Sequence, residues 1–232
     1  NLIPKDAMAV FVVDQNVMSE KLKKGNFKLD ESIEKIFTAI DSIKGKKMFT
    51  DVQNSGVDFK EKMFGFITQK GNPKTTQISS FNLIAVLNDA TKFEKFLKAQ
   101  DEFKGNEIKK EKDYSYIQLG TNGTISWSSN LVMATGFTVT QMGNFNNTTG
   151  EYTEPVQVNK AEEMKKLVTG FYTLKDAEKV SSVKYFNDML NEKADAYVFA
   201  SSTSTINALS MMPFQLPKLE ELMKDNYSTT LI

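Results

Sequence analysis

The chain has 232 residues, of which 40% are hydrophobic and 25% are charged, and its formal net charge is zero. It contains no histidine and no cysteine, and every basic residue is a lysine. These absences exclude a Ser-His-Asp triad, a thiolate nucleophile, a disulfide, a cysteine or histidine metal site and an arginine clamp on phosphate. A net charge of zero also provides no global field that would attract nucleic acid.

Strand and helix patterns alternate through the first third of the chain. Residues 8–13 are apolar on both faces and predict a central strand. A short helix is predicted over residues 16–24, followed by a longer one that Asp30 is placed to cap and whose apolar stripe runs from Ile33 to Ile43. The segment 47–62 is ambiguous between a helix and a helical turn with a break.

The clearest unit begins at residue 77, where a strand pattern later changes to a helical one. Residues 63–68 and 77–87 are rich in apolar and β-favouring side chains and predict two strands. Beyond residue 88, apolar side chains recur at helical spacing up to about Phe103, and Asp89 is well placed to cap that helix. A strand that leads into an amphipathic helix predicts a scaffold of helices packed on a sheet.

The next segment predicts a three-stranded meander with strands at 114–119, 124–127 and 131–135. Asn122-Gly123, between two β-rich runs, is the strongest hairpin signal in the chain. Later residues echo the beginning: 194–200 resemble 5–12, and a helical pattern follows each of them, at 206–211 and at 17–22. Such an echo predicts a duplicated unit.

The predicted fold class is α+β: a mainly antiparallel sheet with helices packed on one face, and the start of a second, similar unit at the C-terminus. The predicted organisation is a first α+β unit at 1–137, an Asn/Thr/Gly-rich loop at 138–158, a helical connector at 159–193 and the beginning of a second, incomplete unit at 194–232. Helices are predicted over 160–171 and 182–190 in the connector.

Four aromatic residues are candidates for a platform on which a sugar ring could stack: Trp127, Tyr114, Tyr116 and Tyr152. Trp127 is the single tryptophan of the chain and lies in the predicted meander. The alternative is that these side chains form cross-strand pairs that cover a face of the sheet. No catalytic, cofactor-binding or metal-binding residue is predicted, and no cofactor is expected.

Asp14 and Asp89 each follow an apolar strand. If those strands were neighbours, the two carboxylates could face each other as a pair for glycoside hydrolysis. Each aspartate also lies where a helix needs an N-terminal cap, and capping is the favoured interpretation.

Three stretches together carry a resemblance: Ile3-Pro4-Lys5-Asp6-Ala7, the segment 88–97 after the central strand, and Lys193-Ala194-Asp195-Ala196-Tyr197-Val198. In these the chain resembles an uncharacterised family of Bacteroidetes cell-envelope lipoproteins, known only as a domain of unknown function. The resemblance implies an extracytoplasmic protein of the outer membrane or periplasm, anchored by a lipid on a cysteine upstream of these residues. It supplies no catalytic residues.

Three functions are consistent with these observations. The first is a non-enzymatic envelope lipoprotein that binds a glycan or a partner protein, does not bind nucleic acid and meets the membrane only through its N-terminal anchor. The second is a hydrolase that uses carboxylates or a cation with oxygen ligands. The third is a structural spacer in a surface protein with several repeats.

Overall fold

The structure is a computed structural model. It describes residues 2–25, 50–72, 76–141, 143–145, 149–150, 152–155, 157–192, 194–201 and 229–231. The predicted helix with the stripe from Ile33 to Ile43 and the helical pattern at 206–211 lie outside the described residues.

The dominant element is one large sheet in which every pairing between described strands is antiparallel. Its order is β12-β11-β1-β3-β4-β8-β7-β6-β5, and β2 pairs with β4 beside this path. A separate two-stranded ribbon is made by β9 and β10. The strands are β1 Ala9–Val13, β2 Val57–Asp58, β3 Met63–Asn72, β4 Thr76–Leu87, β5 Lys109–Lys110, β6 Ser115–Leu119, β7 Gly123–Trp127, β8 Leu131–Gln141, β9 Asn144–Phe145, β10 Tyr152–Thr153, β11 Ala196–Ser201 and β12 Thr229–Leu231.

Four α-helices, a further helical turn at residues 50–53 and three short 3-10 turns accompany the sheet in the described ranges. The helices are α1 Gln15–Lys24, α2 Ala90–Ala99, α3 Lys160–Tyr172 and α4 Lys184–Leu190. The 3-10 turns are Asp101–Phe103, Asp176–Glu178 and Val180–Ser182. The α+β class with a mainly antiparallel sheet is therefore confirmed. None of the described helices combines the length and the apolar character that crossing a membrane requires.

The six predicted strands are all present, and two of them are longer than predicted. β3 continues to Asn72 and β8 continues to Gln141, because β3, β4 and β8 pair along their whole lengths. Residues 138–141, predicted to begin a loop, are therefore strand, and part of the remaining loop forms the ribbon of β9 and β10.

The two faces of the sheet carry different helices. On the first, here named face A, side chains such as Val10, Phe66 and Met133 are fully buried in one core with residues of α3 and α4. On the opposite side, face B, α2 packs on the other set of alternating residues. The members of this second core are Leu87, Phe93, Leu97, Ile117 and Trp127.

The expectation that helices pack on one face thus needs correction. Successive strand residues point to opposite sides of a sheet, and β4 ends in Ala85-Val86-Leu87, which is apolar at three consecutive positions. Ile84 contributes to the core of face A and Leu87 to the core of face B. A strand that is apolar on both sides needs cover on both sides, and α2 supplies it on face B.

The predicted second unit also needs correction in the strands that the structure describes. β11 pairs with β1, opposing Phe199 to Val10 and Tyr197 to Val12, and β12 pairs with β11. Both strands extend the first sheet and do not open another. The echo between 5–12 and 194–200 reflects two neighbouring antiparallel strands that present the same apolar alternation to face A.

The two aspartates that follow strands both cap helices. Asp14 Oδ1 accepts hydrogen bonds from the backbone N–H groups of Asn16 and Val17, each 3.2 Å long. Asp89 Oδ1 accepts from the N–H of Lys92 at 2.9 Å. The capping interpretation is confirmed. Because β3 lies between β1 and β4, these residues do not follow neighbouring strands.

Candidate functional site

The structure does not bring the four predicted aromatic residues together. Trp127 is 3% exposed and packs on face B, where its ring meets Phe93 edge-on at 5.6 Å. Tyr114 and Tyr116 belong to the core of face A. Tyr152, 60% exposed, lies on the separate ribbon. A platform shared by all four is therefore wrong, because strand alternation sends Trp127 to the face opposite Tyr116. Tyr114 and Trp127 do line one polar cleft together, beside the segment between β5 and β6.

Tyr114 and Tyr116 do form the centre of a smaller aromatic cluster. Their ring centroids are 5.8 Å apart, and the ring of Tyr114 stacks on that of Tyr172 from α3 at 4.3 Å and 11°. The hydroxyl groups of Tyr114 and Thr169 share a hydrogen bond of 2.7 Å. This cluster ties α3 to the end of the sheet formed by β6 and β7.

Burial governs the ionisation of these tyrosines. Desolvation raises the pKa of Tyr172 to about 12, against a weaker opposing effect of its hydrogen bond with Ser126. Desolvation is also the main cause that raises the pKa of Tyr114. Both hydroxyl groups therefore keep their protons at neutral pH and act there as hydrogen-bonding groups, not as phenolate bases.

A cleft opens beside this cluster, between the first half of α3 and the end of the sheet. We name it the tyrosine cleft, and its volume is about 410 Å³. It is lined by aromatic, amide, hydroxyl and charged groups together. Among its lining residues are Tyr114, Tyr116, Gln118, Thr124, Asn159 and Lys165.

An ion pair closes one side of the tyrosine cleft. Lys165 Nζ lies 2.7 Å from Glu111 Oε1, and this hydrogen bond is the main cause that raises the pKa of Lys165. The pair joins α3 to the segment between β5 and β6. Because both side chains are partly exposed, the pair adds little stability but holds two charged groups at the mouth of the cleft.

Two side-chain amides in the cleft are only partly used by the protein. Gln118 Nε2 donates to the carbonyl of Gly120 at 3.1 Å, which leaves its Oε1 to accept. Asn159 Oδ1 accepts from the N–H of Glu162 at 3.3 Å, which leaves its amide N–H groups to donate. An acceptor and a donor therefore face a cleft that also contains aromatic rings, an arrangement suited to a neutral polar molecule.

Sequence reasoning missed Gln118, Thr124, Asn159 and Lys165. For two of them a signal was present: Gln118 lies two residues after Tyr116 on the same strand and so shares its face. Thr124 opposes Gln118 across β6 and β7. Asn159, which caps α3, and Lys165 within it gave no such signal, because their approach to the sheet depends on tertiary packing.

A second polar cleft lies on the other side of the segment between β5 and β6. Its volume is about 460 Å³, and Glu94, Glu111 and Asp113 are among its lining residues. Glu94 is paired with Lys98 at 2.8 Å and Glu111 with Lys165, so two of these carboxylates already bind a lysine. Within the part of the chain that the structure describes, no group of three or more Asp, Glu, His or Cys residues is arranged to hold a metal ion.

Comparison with known proteins gives no family for this chain. No family model matches it, and no curated protein matches it. Among solved structures, crystal form I of TP0453 is similar, with 10% identity and a TM-score of 0.35, over 93% of this chain and 68% of that chain. A likeness at that TM-score carries no argument about fold or function.

Proposed function

We propose that this chain is a non-enzymatic lipoprotein of the cell envelope and that its tyrosine cleft binds a glycan. The envelope location and the lipid anchor are supported by the resemblance of the stretches at 3–7, 88–97 and 193–198. The choice of a glycan as the ligand is supported by the residues that line the cleft. The two parts are independent, because a protein of any compartment could use the same cleft.

The observation that supports a glycan as the ligand is the combination, in one cleft, of aromatic rings and side-chain amides with unused hydrogen-bonding groups. A sugar ring has an apolar face of C–H groups and a rim of hydroxyl groups that both donate and accept. Tyr114 and Tyr116, which are 6% and 9% exposed, line the apolar floor of the cleft. Gln118 offers an acceptor and Asn159 a donor. Lys165 and Glu111 add charged partners for hydroxyl groups at the mouth.

Among the described residues that line the cleft, Glu111 and Glu162 both lie beside lysines, which favours binding over cleavage. Glu111 forms an ion pair with Lys165, and Glu162 lies 3.6 Å from Lys166. A glycosidase needs one carboxylic acid and one carboxylate that both face the scissile bond. Shortening of a glycan by the purified chain would overturn the proposal in favour of a hydrolase.

A glycan array followed by calorimetric titration tests the proposal. Ala161 is exposed and lines the cleft, so Ala161→Trp fills it without disturbing the core. We expect this variant to bind the glycan at least about tenfold more weakly than the unaltered chain. Ala177→Trp, on an exposed 3-10 turn away from the cleft, is the matched control and should bind normally.

Two results would contradict the proposal. One is the failure of every arrayed glycan to bind the unaltered chain. The other is equal weakening by Ala161→Trp and Ala177→Trp, which would place binding outside the cleft. Lys165→Ala and its neighbour Lys166→Ala form a second matched pair, since only Lys165 lines the cleft.

A further inference from the structure

Face B carries a groove that the proposed function does not use. It lies between α2 and the sheet, has a volume of about 340 Å³ and is lined almost wholly by apolar side chains. The floor is formed by Leu83 and Ala85 of β4 with Val132 and Ala134 of β8. We name it the apolar groove. Its size falls at the lower end of the range for small-molecule sites.

The shape of the groove follows from side-chain size along one row of the sheet. Ala134 opposes Leu83, and Leu83 opposes Gly65, so small residues flank the leucine on both sides. Phe96 and Phe103 line the groove from the region of α2, while Phe59 lines it from beyond β2. Phenylalanine side chains at the walls and the small Ala85 and Ala134 on the floor leave the groove.

The groove is open to solvent although it is apolar. Leu83 is 44% exposed and Phe59 is 38% exposed, whereas Leu97 beside them is 2% exposed. A concave patch of exposed apolar side chains is typical of a binding site, because an apolar occupant would displace water from it.

One polar group in the groove points to the chemistry of the occupant. Gln100, which ends α2, has a buried Nε2 with no hydrogen-bond partner among the described residues. A buried amide donor without an acceptor is unfavourable, and an oxygen atom of a bound molecule would satisfy it. The occupant therefore combines a long apolar part with an acceptor oxygen.

The charge beside the groove indicates whether the acceptor oxygen of the occupant belongs to a carboxylate or to a neutral carbonyl. Of the described residues that line the groove, Glu102 alone is charged. It lies two positions after Gln100. A carboxylate would be repelled by Glu102, whereas the neutral carbonyl of an ester or amide would not. We propose that the apolar groove binds an acyl chain that carries a neutral ester or amide carbonyl, with Gln100 as the donor to that oxygen.

Titration with three probes that share a twelve-carbon chain tests this proposal: monolaurin as the neutral ester, laurate as the charged acid and dodecane as the bare chain. Monolaurin and laurate are kept below their micellar concentrations and dodecane below its solubility limit. Monolaurin should bind at least about fivefold more tightly than either of the others. Gln100→Leu should remove the preference for the ester over dodecane while binding of dodecane persists. An equal affinity for all three probes, or tighter binding of laurate, would overturn it.

A matched pair of substitutions locates the site. Leu83 and Phe81 share β4 and face B, and both are exposed, but only Leu83 lines the groove. Leu83→Asp should abolish monolaurin binding, and Phe81→Asp should leave it unchanged. Ala134→Phe, which fills the floor with an apolar side chain, should block binding as well and guards against a misfolded Leu83→Asp chain.

Sedimentation of the same variants separates the acyl chain from another occupant. If Leu83→Asp converts an oligomer to a monomer and the unaltered chain binds no monolaurin, the groove is an interface between two copies and the proposal is wrong. An unchanged mass together with the loss of monolaurin binding supports the proposal.

Discussion

At the scale of single residues, alternation along a strand decides what each side chain does. Trp127 and Ser126 are neighbours in sequence, yet Trp127 packs against Phe93 on face B, and Ser126 accepts a hydrogen bond from Tyr172 on face A. Trp127 and Tyr116, two aromatic residues of one meander, therefore serve different cores. The sequence pattern named both as aromatic candidates but did not assign their faces, because the strands here are apolar on both sides.

The stability of face A should depend strongly on Phe66. This side chain is fully buried and meets Phe171 edge-on at 5.2 Å. We expect Phe66→Ala to lower the free energy of unfolding by about 3–5 kcal/mol, because it leaves a cavity. Phe81→Ala, in the neighbouring strand but 49% exposed, is the control and should change it by less than about 1 kcal/mol. Urea denaturation of the two variants measures the difference, and similar losses would contradict the assignment of faces.

Tyr172 should make stability fall at high pH. Its pKa is about 12 in the folded chain and 10.0 without burial, so the unfolded chain loses this proton first as the pH rises. Stability from this group is complete below pH 10 and declines between about pH 10 and 12, by at most roughly 2–3 kcal/mol. Tyr172→Phe should lack this part of the decline, while Tyr185→Phe, 54% exposed, should retain it. Parallel pH profiles of unfolding for Tyr172→Phe and the unaltered chain would contradict this.

At the scale of elements, local signals predicted which strands and helices exist better than where they end. The sequence predicted the change from strand to helix at Asp89, because this capping residue lies between a strand pattern and a helical pattern of apolar side chains. The extension of β8 beyond Thr135 was not, since Gly136 interrupts the pattern, although Phe137 and Val139 continue the alternation toward face A. Pairing with β4 carries the strand past that glycine.

The cap of α2 gives a test at this scale. Asp89→Ala removes the acceptor for the N–H of Lys92 and should cost about 1 kcal/mol of unfolding free energy. Asp89→Asn keeps a capping oxygen and should cost much less. Because α2 covers Trp127 and Leu87, thermal unfolding followed by tryptophan fluorescence reports this directly. Equal losses for the two variants would show that the cap is not the source of the effect.

At the scale of the whole molecule, β11 and β12 belong to the same sheet as β1. β11 lies between β1 and β12, and its Phe199 is buried against Phe186 of α4 at 5.3 Å. For β11 and β12 the interpretation as a second unit is wrong, because two adjacent antiparallel strands on one face carry the same apolar alternation as two copies of a repeat would. Only pairing, which sequence periodicity does not reveal, separates the two cases.

Disruption of β11 should therefore unfold more than the C-terminal segment. Phe199→Asp places a charge in the core of face A, and we expect it to abolish cooperative unfolding of the whole chain. Ala196→Asp lies in the same strand at an exposed position and should be tolerated. Circular dichroism during urea unfolding distinguishes them. A normal transition for Phe199→Asp would support a separate unit instead.

The central functional claim is that a glycan occupies the tyrosine cleft on face A. The most direct measurement is a map of backbone amide chemical shifts by NMR while an array-selected glycan is added. The shifts that change should cluster at Tyr116, Gln118, Ala161 and Lys165, and those of Leu83 and Ala134 in the apolar groove should stay in place. Changes confined to the apolar groove or the ribbon of β9 and β10, with none around Tyr116, would contradict it.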